Sequence, residues 1–374
     1  MSDRKNRKWE NTIKKSFLPS LILACSILIG GCAKGDVEPT TAPSETSASA
    51  VVTETTEPAN PFADDTSLHV RPDSNPNGDV VILMTGDMHS RVDKGFSLGG
   101  VYEVRYQLEL KGDTVLLVDT GDAIQGAPIG YNTQGEAVIN LMNKLGYDVA
   151  VPGVHEFHYG VDRFFELAKK ANFEYISCNF VKEDKLVLKP YVIKEVCGKK
   201  IAFVGVTTPK AITLVPSEYF QNSAGTFIYG FMQDENGDAI VRAIQDSVDK
   251  ARSEGAEYVI LMGHIGNEAV SAPWIYTNIV TRVRGCDAYF DGYSHDIKME
   301  EYIDGEGKKL ARISAGAGLR GIGWVRIAKD GTVTTGLHSW INDNISAVEL
   351  FDIDNPMVRK VNEAMKDFPD KGFG

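Results

Sequence analysis

The sequence predicts an α/β fold, arranged as a four-layer α/β/β/α sandwich with two mixed sheets. From Asp79 onward, short apolar runs alternate with amphipathic stretches, and this βαβα order favours a largely parallel first sheet. After Asp296, apolar runs are separated by Gly-rich turns, which predicts a second, more antiparallel sheet. Two sheets that each carry helices on the outside give four layers.

Residues 1–32 have the composition of a secretion signal. Six Lys and Arg residues between Arg4 and Lys15 precede the apolar run 17–29, which contains Pro19 and is short for a membrane span. Small residues then lead to Cys32, an order that resembles a bacterial lipobox. This resemblance implies lipidation of Cys32 and an extracytoplasmic protein anchored to the membrane as a lipoprotein. The alternative is an uncleaved anchor helix, which also places the rest of the chain outside the cytoplasm.

Residues 33–66 are rich in Thr, Ser, Ala, Pro and Glu, with few bulky apolar side chains. Burial of such side chains cannot repay the entropy of ordering the segment, so we expect a disordered linker. A folded domain is predicted at 67–345. The net charge of −12 argues against a nucleic-acid polymer as partner, because such binding depends on Lys and Arg. A metal ion can still supply positive charge for a small phosphate.

Three cysteines, Cys178, Cys197 and Cys286, lie beyond the signal segment and Cys32. Three thiols cannot all pair, so a disulfide framework is not expected. Each lies in or beside an apolar run, and we expect buried free thiols.

The secondary-structure elements follow from apolar runs and their periodicity. Strands are predicted at Val80–Met84, Thr114–Asp119, Tyr175–Cys178, Tyr191–Val196, Ile201–Val206, Tyr258–Met262, Lys298–Ile303, Leu310–Ser314, Gly323–Ala328 and Thr332–Leu337. Helices are predicted at Gly99–Leu110, Gly135–Leu145, Val161–Lys170 and Ala239–Ser253. A C-terminal helix is expected within 346–374, over Asn355–Phe368.

Side chains that can bind metals follow five apolar runs, at Val80–Met84, Thr114–Thr120, Asp148–Val151, Tyr258–Met262 and Ala288–Phe290. They are Asp87 and His89, then Asp122, then His155, Glu156 and His158, then His264, and finally Asp291 and His295. The carboxyl ends of neighbouring parallel strands lie at one edge of a sheet, so these groups are predicted to converge there. A mixed shell of oxygen and imidazole ligands suits zinc, manganese or iron.

Short motifs occur in a fixed order along this region. They are Gly86–His89, Leu117–Asp122 with Gln125-Gly126, Gly153–Gly160, Ser177–Asn179, Lys189–Ile193, Val204–Pro209, His264–Gly266 and Ser294-His295. In this order, from about Asp79 to Asn342, they resemble the calcineurin-like metallophosphoesterases, specifically the catalytic domain of bacterial 5'-nucleotidases and UDP-sugar hydrolases.

The resemblance implies metal-dependent hydrolysis of phosphate esters at two divalent ions bridged by Asp122. It implies that the first ion is held by Asp87, His89, Asp122 and His295, and the second by Asp122 and His264. His155 takes the position that protonates the leaving oxygen. The implied substrates are small phosphate esters or nucleotides.

Three positions depart from the family pattern. Val154 replaces an Asn ligand of the second ion, Tyr293 replaces a His ligand, and His158 replaces the Asp that assists the catalytic His155. Tyr293 ligates only as a phenolate, which requires loss of a proton with a pKa of about 10. We therefore expect a weakened second metal site, one or two bound ions, and slow turnover by His155 and His158. The alternative is a lipoprotein that kept the fold and one ion but binds a ligand or a partner.

Full-length 5'-nucleotidases carry a second domain that holds the base. That nucleotide-specificity domain is expected to be absent here, since the chain ends at Gly374 after the predicted C-terminal helix. Nucleotide specificity is then not supported by the sequence, and any small exposed phosphate ester is a candidate substrate.

Overall fold

Strands and helices alternate through most of the chain. The computed structural model describes residues 69, 76–341, 344–345, 359 and 363. The strands are β1 (Val80–Thr85), β2 (Thr114–Asp119), β3 (Val149–Ala150), β4 (Glu174–Tyr175), β5 (Val181–Lys182), β6 (Lys185–Leu186), β7 (Tyr191–Val196), β8 (Lys199–Thr207), β9 (Tyr229–Gly230), β10 (Tyr258–His264), β11 (Ala288–Gly292), β12 (Ile297–Ile303), β13 (Lys309–Ala315), β14 (Gly321–Ile327), β15 (Val333–Ile341) and β16 (Asn344–Ile345). The helices are α1 (Ser97–Leu110), α2 (Pro128–Asn132), α3 (Glu136–Leu145), α4 (Val161–Lys170), α5 (Ala211–Leu214), α6 (Asp238–Ser253) and α7 (Tyr276–Ile279), with 3-10 turns at His155–Phe157, Ser217–Phe220 and Ala269–Ser271.

The first sheet has the strand order β16-β15-β14-β1-β2-β3-β4. Strands β1 to β4 are parallel to one another, whereas β14 pairs antiparallel with β1, β15 with β14, and β16 with β15. The second sheet has the order β12-β13-β11-β10-β8-β7, with a parallel centre and an antiparallel strand at each edge. A small third sheet joins β6, β5 and β9.

The predicted composition of the second sheet is wrong. The four runs after Asp296 do form strands, but β12 and β13 join the second sheet whereas β14 and β15 join the first. Strand β14 pairs antiparallel with β1, with Val80 opposite Ile327. Gly-rich turns mark where strands end, but they carry no information about which distant strand supplies the hydrogen bonds.

The layers follow from the alternation of side chains along each strand. In β1, Val80, Ile82 and Met84 pack with Phe203, Ile260 and Phe290 of the second sheet. The intervening Val81 and Leu83 pack on the other face, in a cluster with apolar residues of α1, α3 and α4. Helix α6 covers the outer face of the second sheet. The predicted four-layer α/β/β/α sandwich with two mixed sheets is confirmed.

The three cysteines Cys178, Cys197 and Cys286 are free. Cys178 is buried as predicted, whereas Cys286 is only partly buried and Cys197 is exposed, because Cys197 occupies the turn between β7 and β8. Within the residues that the structure describes, no helix combines the length and apolar character needed to cross a membrane. The predictions for residues 1–32 and 33–66 lie outside that part of the chain, as does the C-terminal helix apart from positions 359 and 363.

Candidate metal centre

Four strand ends from two sheets bring the predicted metal-binding side chains together. Asp87 and His89 follow β1, Asp122 follows β2, His264 ends β10, and His295 follows β11. One ligand atom each from Asp87, His89, Asp122 and His295 lies within 4.8 Å of the others. His264 Nε2 lies 3.3 Å from Asp122 Oδ2. The structure therefore brings together the five side chains that the family resemblance implies as metal ligands, whereas Glu156 binds backbone N–H groups and Asp291 binds Arg312.

The backbone at this cluster adopts left-handed conformations. The residues with φ between 48° and 76° include Asp87, His89, Asp122, Tyr293 and His295. Asp and His are enriched among the non-glycine residues with left-handed φ values. Each non-glycine residue in this conformation costs about 1 to 3 kcal/mol of conformational free energy. Backbone hydrogen bonds hold the turns in place: Asp87 N donates to Gly121 O at 2.8 Å, and His89 N donates to Asp122 O at 2.9 Å.

Asp87 is fixed by the loop that carries His295. The backbone N–H of Tyr293 donates to both Asp87 carboxylate oxygens at 3.0 Å. His295 Nε2 lies 3.6 Å from Asp87 Oδ1, and this contact raises the pKa of His295. The first and last strand ends of the cluster are thus joined directly.

Glu156 stabilises the loop that carries Asp122. Its buried carboxylate accepts hydrogen bonds from three backbone N–H groups, those of Asp122 at 2.8 Å, Ala123 at 2.8 Å and Gly153 at 2.6 Å. Burial and the neighbouring Asp122 charge raise the pKa of Glu156 to about 7. Gly153 has no room for a side chain, because a Cβ there would overlap the Asp122 carboxylate.

His264 shows that the cluster fits a cation. Its Nδ1 lies 2.8 Å from the Thr120 carbonyl oxygen and donates to it, so Nε2 faces Asp122 and is buried without a hydrogen-bond partner. Burial opposes protonation, but the carboxylates of Asp122 and Asp87 outweigh it and raise the pKa of His264 to about 10. Positive charge is favoured at this point, and nitrogen and carboxylate donors together suit zinc, manganese or iron.

Val154 and Tyr293 are two of the positions that depart from the family pattern. Val154 is 3% exposed and belongs to the apolar cluster on the outer face of the first sheet, so it supplies no ligand atom. The Tyr293 ring packs edge-on to His264 at 5.4 Å and occupies the space that a side chain at Gly266 would need. Burial raises the pKa of Tyr293, which opposes the phenolate form that ligation requires.

His155 lies beside the cluster. Its backbone N–H donates to Asp122 Oδ1 at 2.7 Å, and its Nε2 lies 3.7 Å from Asp122 Oδ2. Its Nδ1 is hydrogen-bonded to Gln125 Oε1, and the His158 ring stacks on it with centroids 4.4 Å apart. Burial lowers the pKa of His155 to about 4.

A cavity of about 370 Å³ opens onto these groups. Asp122, His155, His158 and His295 line it, with Leu214 and Glu268 also in its wall. No Lys or Arg occurs among its described lining residues, so the protein itself brings little positive charge to an anion there.

Sequence reasoning did not find the roles of Gln125, Glu156 and Arg312. Gln125 and Glu156 stood in recognised motifs, but their contacts depend on how separate loops approach each other. Arg312 is fully buried. Its Nε donates to Asp291 at 3.0 Å, and its Nη2 donates to Asp296 at 2.6 Å. A charged residue inside the apolar run Leu310–Ser314 was the available signal, because a buried Arg must be paired.

A two-sheet sandwich whose strands end in a cluster of Asp and His side chains defines a candidate metal-dependent hydrolase. Residues 80–302 match the model of the calcineurin-like phosphoesterases. The chain belongs to the calcineurin-like phosphoesterase family, as the motifs predicted.

Two relatives of known sequence illustrate the likeness. The trifunctional nucleotide phosphoesterase protein YfkN of Bacillus subtilis is 26% identical over 266 residues, which cover 62% of this chain and 17% of that protein. The 5'-nucleotidase of Bos taurus is 28% identical over 238 residues, which cover 58% of this chain and 38% of that protein. The chain thus spans well under half the length of either relative.

Solved structures agree on the fold. The 5'-nucleotidase precursor from Thermus thermophilus superposes with a TM-score of 0.63 at 17% identity, covering 77% of this chain and 58% of that one. The calcineurin-like phosphoesterase YfkN from Bacillus subtilis gives 0.58 at 21% identity, covering 78% and 97%. At these identities the likeness establishes the metallophosphoesterase fold alone.

Proposed function

We propose that this protein is a metal-dependent phosphoesterase that hydrolyses small phosphate esters, with nucleotides as candidate substrates. The observation that carries the proposal is the convergence of Asp87, His89, Asp122 and His295 within 4.8 Å, beside His155. Nucleotides are included because the relatives described above are named as nucleotide phosphoesterases or nucleotidases.

In this proposal the chain holds one ion with Asp87, His89, Asp122 and His295, and Asp122 and His264 face a second position. Divalent ions bound there would neutralise the phosphate oxygens and lower the pKa of an attacking water.

The proposed step is an in-line displacement. The water oxygen bonds to phosphorus, the bond from phosphorus to the leaving oxygen breaks, and the leaving oxygen takes a proton from His155 Nε2. His155 and His158, whose rings stack, form the proposed catalytic pair.

We propose further that the second ion is held weakly and that turnover is slow. The buried apolar side chain of Val154 and the raised pKa of Tyr293 support this, since neither offers a charged ligand at neutral pH. We also propose that the protein works at the cell surface as a lipoprotein anchored through Cys32. That proposal is supported by the sequence of residues 1–32.

The test is to measure bound metal and hydrolysis on the same samples. The protein, supplied with manganese and zinc, is assayed by elemental mass spectrometry and for release of phosphate from p-nitrophenyl phosphate and AMP. We expect metal binding and hydrolysis, both lost in Asp122→Asn and both kept in Asp162→Asn, an exposed position on α4. Metal binding without hydrolysis of either ester would instead favour the ligand-binding lipoprotein.

A further inference from the structure

The orientation of the His155 ring is fixed at two places. Along its edge, Nδ1 is hydrogen-bonded to the side-chain oxygen of Gln125. Across its face, the His158 ring lies 4.4 Å away with an angle of 23° between the planes. An imidazole that acts as an acid or a base needs its second nitrogen held by a hydrogen-bond partner, because this bond sets the tautomer and the direction of the reacting nitrogen.

His158 is not placed to make that bond. The N–H groups of an imidazole lie in the plane of the ring, so two rings that stack face to face do not point their nitrogen atoms at each other. His158 therefore restrains the face of the His155 ring, but the hydrogen bond to Nδ1 of His155 must come from another residue.

Gln125 is well placed for this task, because it belongs to the same loop as Asp122. Gln125 is three positions after Asp122 along the chain. The next residue, Gly126, packs so closely on the backbone of His89 that a side chain there would overlap it. The loop that delivers Asp122 to the metal cluster thus also delivers an acceptor to His155.

We infer that Gln125 is the positioning residue for His155, and this inference rests on the proposed phosphoesterase function. The amide oxygen accepts the Nδ1–H and leaves Nε2 facing the cavity. In the proposed step the bond from Nδ1–H to Gln125 is kept, and Nε2–H is presented to the leaving oxygen. As the phosphorus–oxygen bond breaks, that proton passes to the leaving oxygen.

The inference predicts an effect that depends on the leaving group. A strongly basic alkoxide, such as the ribose oxygen of AMP, needs a proton as it departs, whereas p-nitrophenolate departs without one. General acid catalysis contributes roughly a hundredfold or more where it is needed. We therefore expect Gln125→Met to lower kcat for AMP by roughly tenfold to a hundredfold and kcat for p-nitrophenyl phosphate by less than about threefold.

Three variants complete the kinetic test. Gln125→Glu, which keeps an oxygen acceptor of the same reach, should hold AMP turnover within about threefold of the unaltered protein. His158→Phe removes the other member of the proposed catalytic pair but keeps an aromatic ring on the His155 face, so any activity that it loses should be lost equally on both substrates. Gln245→Met, on α6, is the matched control for loss of a glutamine amide. Equal losses on both substrates in Gln125→Met, or the split appearing in His158→Phe, would overturn the role of Gln125.

A second measurement does not depend on turnover. Long-range proton–nitrogen NMR correlations of the metal-free protein report which ring nitrogen of His155 carries the proton. We expect protonated Nδ1 in the unaltered protein and in His158→Phe, and a mixture of tautomers in Gln125→Met. Protonation at Nε2, or an unchanged spectrum in Gln125→Met, would overturn the inference. If the NMR result holds but neither ester is hydrolysed, the proposed function fails and the orientation of His155 by Gln125 stands.

Discussion

At the scale of single residues, Glu156 contributes to the metal centre without facing the ion. It accepts three backbone N–H groups from two loops, and each of those loops carries a side chain proposed to act in the reaction. A buried carboxylate in this arrangement replaces water as the acceptor for donors that would otherwise be orphaned. Its identity therefore affects both stability and the geometry of Asp122.

Glu156→Gln tests this role with little change in shape. The amide keeps one acceptor and turns an NH2 group towards backbone donors, so we expect a loss of about 1 to 3 kcal/mol in the free energy of unfolding. Urea unfolding of the metal-free protein measures it. Glu166→Gln on α4, where the side chain is 63% exposed, is the control and should change stability by less than about 0.5 kcal/mol. Similar values for the two variants would contradict the role given to Glu156.

The candidate metal-binding residues could be selected from the sequence because local signals mark them. Asp87, Asp122 and His295 each follow an apolar run that becomes a strand, and parallel strands deliver such positions to a shared edge. Gln125 and Glu156 lie in equally recognisable motifs, but their partners are contributed by other loops. A residue whose role is a hydrogen bond between loops gives no local signal of its partner.

At the scale of elements, the link between β11 and β12 depends on Arg312 of β13. Arg312 donates to Asp291 at the end of β11, to Asp296 just before β12 and to Glu300 within β12, and its guanidinium lies 4.3 Å from the Tyr276 ring centroid. Between Asp291 and Asp296 lies the loop that bears His295. The contacts of Arg312 thus fix the positions of both ends of this loop.

Arg312→Met should destabilise the protein by about 3 to 5 kcal/mol, because it leaves the carboxylate of Asp291 buried without its cation. Adding Asp291→Asn should restore part of that loss, since the uncompensated charge is then removed. Urea unfolding of both single variants and the double variant gives the coupling energy. Arg284→Met, at a side chain that is 50% exposed, should cost less than about 1 kcal/mol. Strictly additive effects of Arg312→Met and Asp291→Asn on the free energy of unfolding would show that the two side chains do not stabilise each other, and would contradict this role of Arg312.

The elements themselves were predictable, but their partners were less so. Periodicity gave β2, β7, α4 and the body of α6 close to their observed bounds. It did not show that β14 crosses to the first sheet to pair with β1, because both faces of that strand are largely buried and its sequence fits either sheet. Pairing between strands more than two hundred residues apart is decided by the assembled core.

At the scale of the whole molecule, the acidic catalytic domain would depend on bound ions to attract phosphate. The formal net charge is −12, and the described residues lining the cavity include no Lys or Arg. The proposed anchor at Cys32 would hold this domain at the membrane surface, so substrate would arrive from outside the cell.

The proposed anchor is tested by Cys32→Ala in the full chain, expressed in a bacterium that acylates lipoproteins. We expect the unaltered protein to enter the detergent phase on phase separation and to incorporate labelled palmitate, and Cys32→Ala to do neither. Cys25→Ala, within the preceding apolar run, is the matched control and should behave as the unaltered protein does. Detergent partitioning that persists in Cys32→Ala without label would favour the uncleaved anchor helix.

The left-handed turns at Asp87, His89, Asp122, Tyr293 and His295 bear on how an ion is captured. Backbone hydrogen bonds from Asp87 to Gly121 and from His89 to Asp122 hold two of these turns, so we expect folding of the sandwich to supply their conformational cost. The ligands then stand as a preorganised receptor, in which binding need not reshape the backbone and depends mainly on the exchange of water for protein donors. We therefore expect a chelator to remove the ion without unfolding the protein, and added metal to bind again without a refolding step.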